Sequence, residues 1–389
     1  MANEKKITRE NWVSSFTLVG RPKVNDFTFK IDQQSQKSNW IYNSMNLGID
    51  CGEKHGVVYA EIMSGYSPER ENVIYAHGKD ANGNDDFKAQ VKVDWEDRFD
   101  EEIIESLGDM SFFTVGIEKT DKGKTYVKKF LSAYDAIPYI EEHLTSDMVV
   151  NVRGQIKYSM YNDTVQIRKE IQSIFLSNKE EDEFSARFTQ SILLDKDSAS
   201  LKNIDKDKGV MYVDARVLDY VKEYKGTEIR GQFPFSTQFE FELDLKNQEL
   251  CKKVYDKLFK VKKDITQITF DGIFVTGGAT VQATMDDLPD DIRDLIGLVY
   301  TEEQALALCS TNGSREQRMI LVKPYIKLIG EEKTPELQRF ERQYTEEDLM
   351  FDIADEDDDE DVPFEEDVAS EEDSSEEGGE FDWLNELDD

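Results

Sequence analysis

Alternation of apolar and polar residues recurs along the body of the chain and favours β-strands. In "WIYNSMNLGID" (40–50), Met45 and Leu47 fall on one face, whereas Trp40 and Tyr42 fall on the other among polar neighbours. Successive side chains of a strand point to opposite faces, so this segment predicts a half-buried strand. The fold class is therefore predicted to be mostly β with some α.

The first half of the chain predicts a five-stranded plan. Three strands are expected before a helix and two after it, at 14–32, 40–50 and 56–66, then a helix at 132–144 capped by Ser132, and a hairpin in 147–176. The first strand is interrupted by Gly-Arg-Pro, and the hairpin turns at Asn162-Asp163. Three strands, a helix and two strands is the order of the OB-fold, a β-barrel that binds oligonucleotides.

The second half repeats that order. Strands are predicted at 183–194, 209–221, 233–245 and 317–329, with an amphipathic helix at 247–261. The segment "DITQITFDGIFVTGGATVQATM" (264–285) resembles "DMVVNVRGQIKYSMYNDTVQIR" (147–168), with a Gly at 272 in one and at 154 in the other. Two OB-like domains in tandem are one interpretation, and a single OB-fold followed by an unrelated α+β domain is the other.

Charge is segregated along the chain. The formal net charge is -36 at pH 7, yet residues 345–389 hold 24 acidic residues and no Lys or Arg. The rest carries 47 basic and 59 acidic residues, and 12 of those acids lie in 80–118, which is predicted to be an insertion with helix at 99–107. The predicted domains are thus 1–178, 179–344 and a disordered acidic tail at 345–389. The negative total does not exclude a nucleic-acid ligand.

Three scattered cysteines, Cys51, Cys251 and Cys309, predict neither a disulfide framework nor a zinc site. The N-terminus has no apolar segment behind its charges, and no apolar run approaches membrane-spanning length. A cytoplasmic protein without a membrane or cofactor is expected.

The hairpin "VNVRGQIKYSMYND" (150–163), the barrel-like first half and the acidic tail with apolar residues resemble the single-stranded DNA-binding proteins of DNA replication. The likeness is nearest to those encoded by tailed bacteriophages. It implies binding of single-stranded DNA in phage replication or recombination, in the cytoplasm of the host cell. In bacterial members the tail ends in acids followed by Ile-Pro-Phe, whereas here "DDDEDVPF" (357–364) is internal.

Binding of this kind needs aromatic faces on which bases stack and cations that follow the phosphates. We expect aromatic and basic residues on the outward phase of the strands to serve, namely Trp40, Tyr42, Tyr59, Tyr158 and Tyr161 for stacking, and Lys30, Lys54, Arg153, Lys157 and Arg168 for phosphates. A second basic set lies on the helix at 247–261 and just after it, with Lys252, Lys253, Lys257, Lys260 and Lys263. That set is either a DNA contact or a solvated helix face.

The tail ends in "FDWLNELDD", with apolar Phe381, Trp383, Leu384 and Leu387 at spacings that one helical face can carry. These residues are predicted to bind a replication enzyme, such as a polymerase, primase or helicase. The acids are predicted to compete with DNA for its groove, or else only to keep the protein soluble.

No catalytic constellation is evident, and the chain is predicted not to be an enzyme. The segment "TGGAT" (276–280) lacks the Lys and Ser/Thr of a phosphate loop, and "DANGNDD" (80–86) lacks the Gly and Glu of a calcium loop. Two other function classes stay open. One is a virion structural or scaffold protein with a solubilising tail, and the other is a nuclease or other enzyme with a carboxylate site.

Overall fold

The structure, a computed structural model, describes residues 7–36, 38–161, 164–206, 208–225, 227–277, 317–330 and 332–351. Within these residues the chain is mostly β, as predicted. The strands are β1 (Ser14–Lys23), β2 (Phe29–Gln34), β3 (Ile41–Asp50), β4 (Val57–Tyr66), β5 (Val73–Lys79), β6 (Asp85–Asp94), β7 (Phe113–Lys119), β8 (Thr125–Phe130), β9 (Val150–Tyr161), β10 (Thr164–Leu176), β11 (Ser185–Leu194), β12 (Ala199–Asp205), β13 (Val210–Tyr224), β14 (Thr227–Glu242), β15 (Ile265–Thr276), β16 (Gln317–Pro324), β17 (Ile326–Ile329), β18 (Thr334–Leu337) and β19 (Arg339–Tyr344).

Helices are few and short in the described ranges. They are α1 (Glu101–Ser106), α2 (Ala133–His143) and α3 (Gln248–Val254), which continues as a π-helical turn at Tyr255–Phe259. The predicted cap of α2 is confirmed, because the Ser132 side chain accepts a hydrogen bond from the Tyr134 amide. None of the helices in these ranges is long and apolar enough to cross a membrane.

Five strands of the first half pair in a closed circuit, called here the first circuit. β1 pairs with β3 and β9, β3 with β4, and β9 with β10. The circuit closes where β10 runs parallel to β4, with Glu170 opposite Glu61. In the chain, α2 lies between β4 and β9.

Five strands of the second half pair in the same way and form the second circuit. β11 pairs with β13 and β15, β13 with β14, and β15 with β16. β14 and β16 close it in parallel, with Glu240 opposite Ile320. The helix α3 lies between β14 and β15, so the order of elements matches that of the first circuit.

The two circuits share the same packing device. Phe16 of β1 lies opposite Gly154 of β9, and Phe188 of β11 lies opposite Gly272 of β15. A Cβ atom on Gly154 would lie 2.9 Å from the Phe16 ring, and one on Gly272 would lie 2.2 Å from the Phe188 ring. Both glycines also abut a backbone carbonyl of the fifth strand, so each position excludes a side chain.

Antiparallel pairing between β1 and β11 joins the circuits, with Phe16 opposite Phe188. The β3–β4 turn adds a second contact, because His55 Nδ1 donates to the Phe274 carbonyl oxygen at 2.9 Å. Lys169 adds a third, with its ammonium 2.5 Å from Gln317 Oε1. Burial lowers the pKa of Lys169 to about 8. Strand pairing therefore crosses residue 178, and the predicted division into domains at that residue stays a prediction.

The predicted acidic insertion has more regular structure than its sequence indicates. It holds the expected helix as α1, but also β6, which pairs with β5 just before the insertion, and β7, which pairs in parallel with β10. A small core of Ala76, Val93, Leu107, Phe112 and Leu131 stabilises it. The acids of 80–118 lie at exposed or half-buried positions, and their number masks the apolar pattern of the strands.

Some predictions fall on other parts of the chain. The turn at Asn162-Asp163, the end of the strand predicted to reach residue 285 and the tail beyond residue 351 lie outside the described residues. The strand predicted at 317–329 is present as β16 and β17, and the helix predicted at 247–261 is shorter.

We predict that neither Gly154 nor Gly272 tolerates a side chain. Changing Gly154 or Gly272 to Ala should each lower the free energy of unfolding by more than about 2 kcal/mol, because the methyl group displaces a strand or a buried ring. Denaturant unfolding followed by circular dichroism measures this. The matched control is Gly231→Ala, where the added Cβ atom would lie 3.5 Å from its nearest neighbour, the Ile229 carbonyl oxygen. Destabilisation at one glycine with none at the other would contradict the shared packing.

Candidate nucleic-acid interface

The outward side of the β3–β4 hairpin forms an aromatic face, defined here as Trp40, Tyr42, Ser44, Asn46, Tyr59, Glu61 and Met63. Strand alternation sends Met45 and Leu47 into the core, where they are 1% and 0% exposed, so their neighbours in sequence point outward. The sequence prediction for Trp40, Tyr42 and Tyr59 is consistent with this arrangement.

Two tyrosines on this face lie opposite glycines. Tyr59 pairs with Gly48, and Tyr42 pairs with Gly65. A Cβ atom on Gly48 would come within 3.0 Å of the Tyr59 ring, so that ring lies against the bare backbone of the next strand. The Tyr59 ring is 39% exposed and therefore presents an area on which a flat group can stack.

Trp40 and Tyr42 stack on each other at the other end of the hairpin. Their ring centroids are 5.0 Å apart and their planes differ by 18°. Tyr42 lies six residues along β3 from Gly48, which places this pair about 20 Å from Tyr59. Between them lie Ser44, Asn46 and Met63, and Lys30 of β2 is opposite Ser44.

Cations border the aromatic face on the β10 side. The Arg168 guanidinium lies 3.8 Å from the Glu61 carboxylate, and Lys157 of β9 is directly opposite Arg168. Burial raises the pKa of Glu61, and the charges of Arg168 and Lys169 lower it. The second circuit repeats this pair, with Arg318 of β16 3.0 Å from Glu240 of β14.

Tyr158 is placed differently from the prediction. The sequence pattern puts it on the outward phase, but it is 3% exposed, and its hydroxyl lies 3.2 Å from Gln190 Oε1. The long β13–β14 hairpin covers it, since the Tyr158 amide donates to Asp219 Oδ2 at 2.8 Å and its ring lies beside Phe235. A neighbour distant in sequence therefore buries this ring.

The remaining predicted residues do not all meet at one place. Tyr161 is 48% exposed at the end of β9. Lys54 is exposed in the β3–β4 turn, and Arg153 is exposed further along β9, opposite Thr17. Sequence reasoning missed Asn46 and Met63, which strand phase alone places beside the tyrosines. The tail residues Phe381, Trp383, Leu384 and Leu387 lie outside the described residues.

The corresponding hairpin of the second circuit has another surface. When Glu61 of the first circuit is aligned with Glu240 of the second, Asp214 takes the position of Gly48 and Gln238 takes that of Tyr59. The Gln238 amide donates a hydrogen bond of 2.8 Å to the Asp214 carboxylate. Arg216 on the same strand pairs with both Asp195 and Glu346. This face is acidic and lacks the tyrosine-on-glycine packing.

The structure does not decide whether the basic helix predicted at 247–261 contacts DNA or is only a solvated helix face. Its lysines are exposed, and two of them pair with acids one turn away, Lys253 with Glu249 and Lys260 with Asp256. Such exposed pairs are typical of a solvated helix.

The insertion contains a serine, a histidine and a carboxylate in line. Ser111 Oγ is 3.1 Å from His77 Nδ1, and His77 Nε2 is 2.8 Å from Asp85 Oδ1. The Ser111 oxygen also accepts the His77 amide at 3.0 Å, and Asp85 accepts the Met110 amide. These bonds hold β5 to the following turn, which is a structural role. Across the described ranges, no three His, Cys, Asp or Glu side chains are placed to hold a metal ion.

No protein-family model matches the chain, and no curated protein matches it. Among solved structures, it is similar to the wild-type single-stranded DNA binding protein from Thermus aquaticus, with 10% identity over 69% of this chain and 87% of that one, and a TM-score of 0.29. A deletion mutant of that protein gives 10% identity over 68% and 87%, with a TM-score of 0.28. Likeness at this level decides nothing about this chain.

We predict that Tyr158 and Tyr59 differ in their effect on stability. Tyr158→Ala should lower the free energy of unfolding by about 3–5 kcal/mol, because it leaves a cavity between the circuits. Tyr59→Ala should cost less than about 1 kcal/mol, because that ring lies on the surface. Urea unfolding of the two variants tests this, and equal destabilisation would contradict the burial of Tyr158.

Proposed function

We propose that this protein binds single-stranded DNA without sequence preference, and that each circuit is an OB-type barrel. The support is the pairing order, in which the first strand contacts the second and fourth, and the third and fifth run in parallel, with a helix between strands three and four. The aromatic face lies on the second and third strands of the first circuit, where OB-folds bind oligonucleotides.

The observation that carries this proposal is the aromatic face itself. The stacked Trp40–Tyr42 pair and the Tyr59 ring are separated by about 20 Å, so one extended strand can meet both. Every base has a π-face, and stacking on aromatic side chains is therefore tolerant of sequence. Lys30, Lys157 and Arg168 border the face and suit the phosphates.

The second circuit has a different role in this proposal. Its corresponding face has the carboxylate of Asp214 and the amide of Gln238 where the first circuit has Gly48 and the Tyr59 ring, so it repels phosphates at that point and offers no ring for stacking there. Stacking is therefore assigned to the first circuit, whereas the second supports it through β11, His55 and the β13–β14 hairpin.

We also propose a role in phage replication or recombination, inside the host cell. The acidic segment 345–389 would then recruit replication enzymes through Phe381, Trp383, Leu384 and Leu387. Composition supports this part, since 24 acids without a Lys or Arg precede and surround an apolar cluster. A pull-down of replication enzymes with the full chain, compared with a variant carrying Ser at the four positions, tests it.

Stacking predicts a large decrease in affinity on removing the rings. Changing Trp40, Tyr42 and Tyr59 together to Ala should weaken binding of oligothymidine by about 2–4 kcal/mol, because each stacked base contributes about 1–3 kcal/mol. Fluorescence anisotropy of a labelled oligonucleotide measures it, with a melting curve to verify the fold.

The matched control is Tyr75→Ala together with Tyr220→Ala. These rings are 71% and 57% exposed but lie on β5 and on β13, outside the aromatic face. Affinity should then stay at the wild-type value. A wild-type protein that prefers duplex DNA, or one that binds no oligothymidine at low salt, would refute the proposed function.

A further inference from the structure

A row of side chains crosses the sheet where the two circuits join. Thr17 of β1 lies opposite Arg153 of β9 on one side and opposite Arg187 of β11 on the other. Directly opposite residues share a face, so the three side chains point the same way. Two strand spacings separate the arginines, about 10 Å. Both are exposed. We call Arg153, Thr17 and Arg187 the junction row.

The charge of this row is not neutralised within the described part of the chain. Neither guanidinium forms an ion pair there, whereas Arg168 pairs with Glu61 and Lys323 with Asp271. Arg153 Nε donates only to Asn151 Oδ1, at 3.2 Å. In a chain with 83 acidic and 47 basic residues, two exposed arginines without an ion-pair partner in the described part are available for an external anion.

A cleft of about 540 Å³ opens beside the row. Ser15, Thr17, Arg187, Thr189, Asp271 and Lys323 are among its lining residues, and the Asp271 carboxylate lies 3.8 Å from the Lys323 ammonium. Gly272 also lines it, with the buried Phe188 ring packed against its backbone. Hydroxyl, guanidinium and ammonium groups are the ordinary ligands of phosphate oxygens in complexes with nucleic acids. The lining lacks an exposed aromatic ring for stacking.

The row is continuous with the aromatic face. Lys157 and Arg153 share the outward phase of β9 and lie about 13 Å apart. Lys157 is opposite Arg168, which contacts Glu61, two residues along β4 from Tyr59. Arg168, Lys157 and Arg153 thus lead from the aromatic face to the junction, past one exposed acid, Glu170, which lies opposite Gln155.

We propose that the DNA strand leaves the aromatic face over Arg168 and Lys157 and continues across the junction row into the cleft, held there only by its phosphates. The inference rests on the proposed function and extends it. The second circuit then contacts DNA through β11 and not through its acidic β13–β14 face. The contact is independent of sequence, since phosphates are identical at every nucleotide.

The test compares a short and a long oligothymidine. Arg153→Gln with Arg187→Gln should leave binding of about eight nucleotides unchanged and weaken binding of about 30 nucleotides several-fold, because only the long strand reaches the row. The slope of log affinity against log salt for the long strand should become shallower by about 1.4, or about 0.7 for each phosphate that an arginine no longer neutralises.

Three further variants separate this contact from general charge effects. Lys122→Gln with Lys124→Gln removes the same charge from the exposed β7–β8 turn and should change neither affinity. Arg153→Lys with Arg187→Lys keeps the charge and should retain most of the long-strand affinity. Asp271→Asn keeps an oxygen that accepts the hydrogen bond from Thr189 Oγ1 but removes the charge that pairs with Lys323. Because Lys323 is then free to bind a phosphate, this variant should bind the long strand more tightly and the short strand as before.

The outcomes are distinct. Normal binding of both lengths by the Arg-to-Gln variant, with an unaltered salt slope, overturns the junction contact and leaves the proposed function intact. Equal weakening of both lengths also overturns it, since the row would then belong to the short site. Failure of the wild type to bind either length refutes the proposed function itself.

Discussion

The pairing of β1 with β11 is the contact on which the arrangement of both circuits depends. It sets Phe16 opposite Phe188, and each ring then packs on a glycine of its own circuit. A slip of one residue in either strand would exchange its two faces. Phe16 would then point outward and Thr17 inward. The same register therefore fixes the buried rings and the row of arginines outside them.

The two circuits share a frame but differ in surface. Strand order, the Phe–Gly contact and the Arg–Glu pair recur in both. The outward positions differ, with Tyr59 over Gly48 in the first and Gln238 bonded to Asp214 in the second. Function lies in such surfaces and not in the fold that carries them. The extended β13–β14 hairpin uses its extra length to cover Tyr158.

Much of the local structure can be read from the sequence because alternation reports which side of a strand is buried. It predicted the strands of both circuits, α2 with its Ser132 cap, and the outward phase of Tyr42 and Tyr59. The single bent strand predicted at 14–32 was wrong, because β1 ends at Lys23 and the chain turns before β2 begins at Phe29. Alternation did not predict the burial of Tyr158, since the covering hairpin lies 61 residues further along the chain. Strands β5 and β6 were missed because apolar residues also occupy their exposed positions, Val73 and Tyr75 in β5 and Phe87 in β6, so neither shows a clean alternation. The Arg187 contact was missed because register between β1 and β11 is not a local property.

The central claim is that the first circuit stacks the bases. Photo-cross-linking of an oligonucleotide that carries a photoreactive uracil at each position in turn, followed by mass spectrometry of the attached peptides, locates the base contacts directly. The account predicts adducts on Trp40, Tyr42 and Tyr59 and none on Tyr212 or Tyr220. Adducts confined to the β13–β14 face of the second circuit would contradict it.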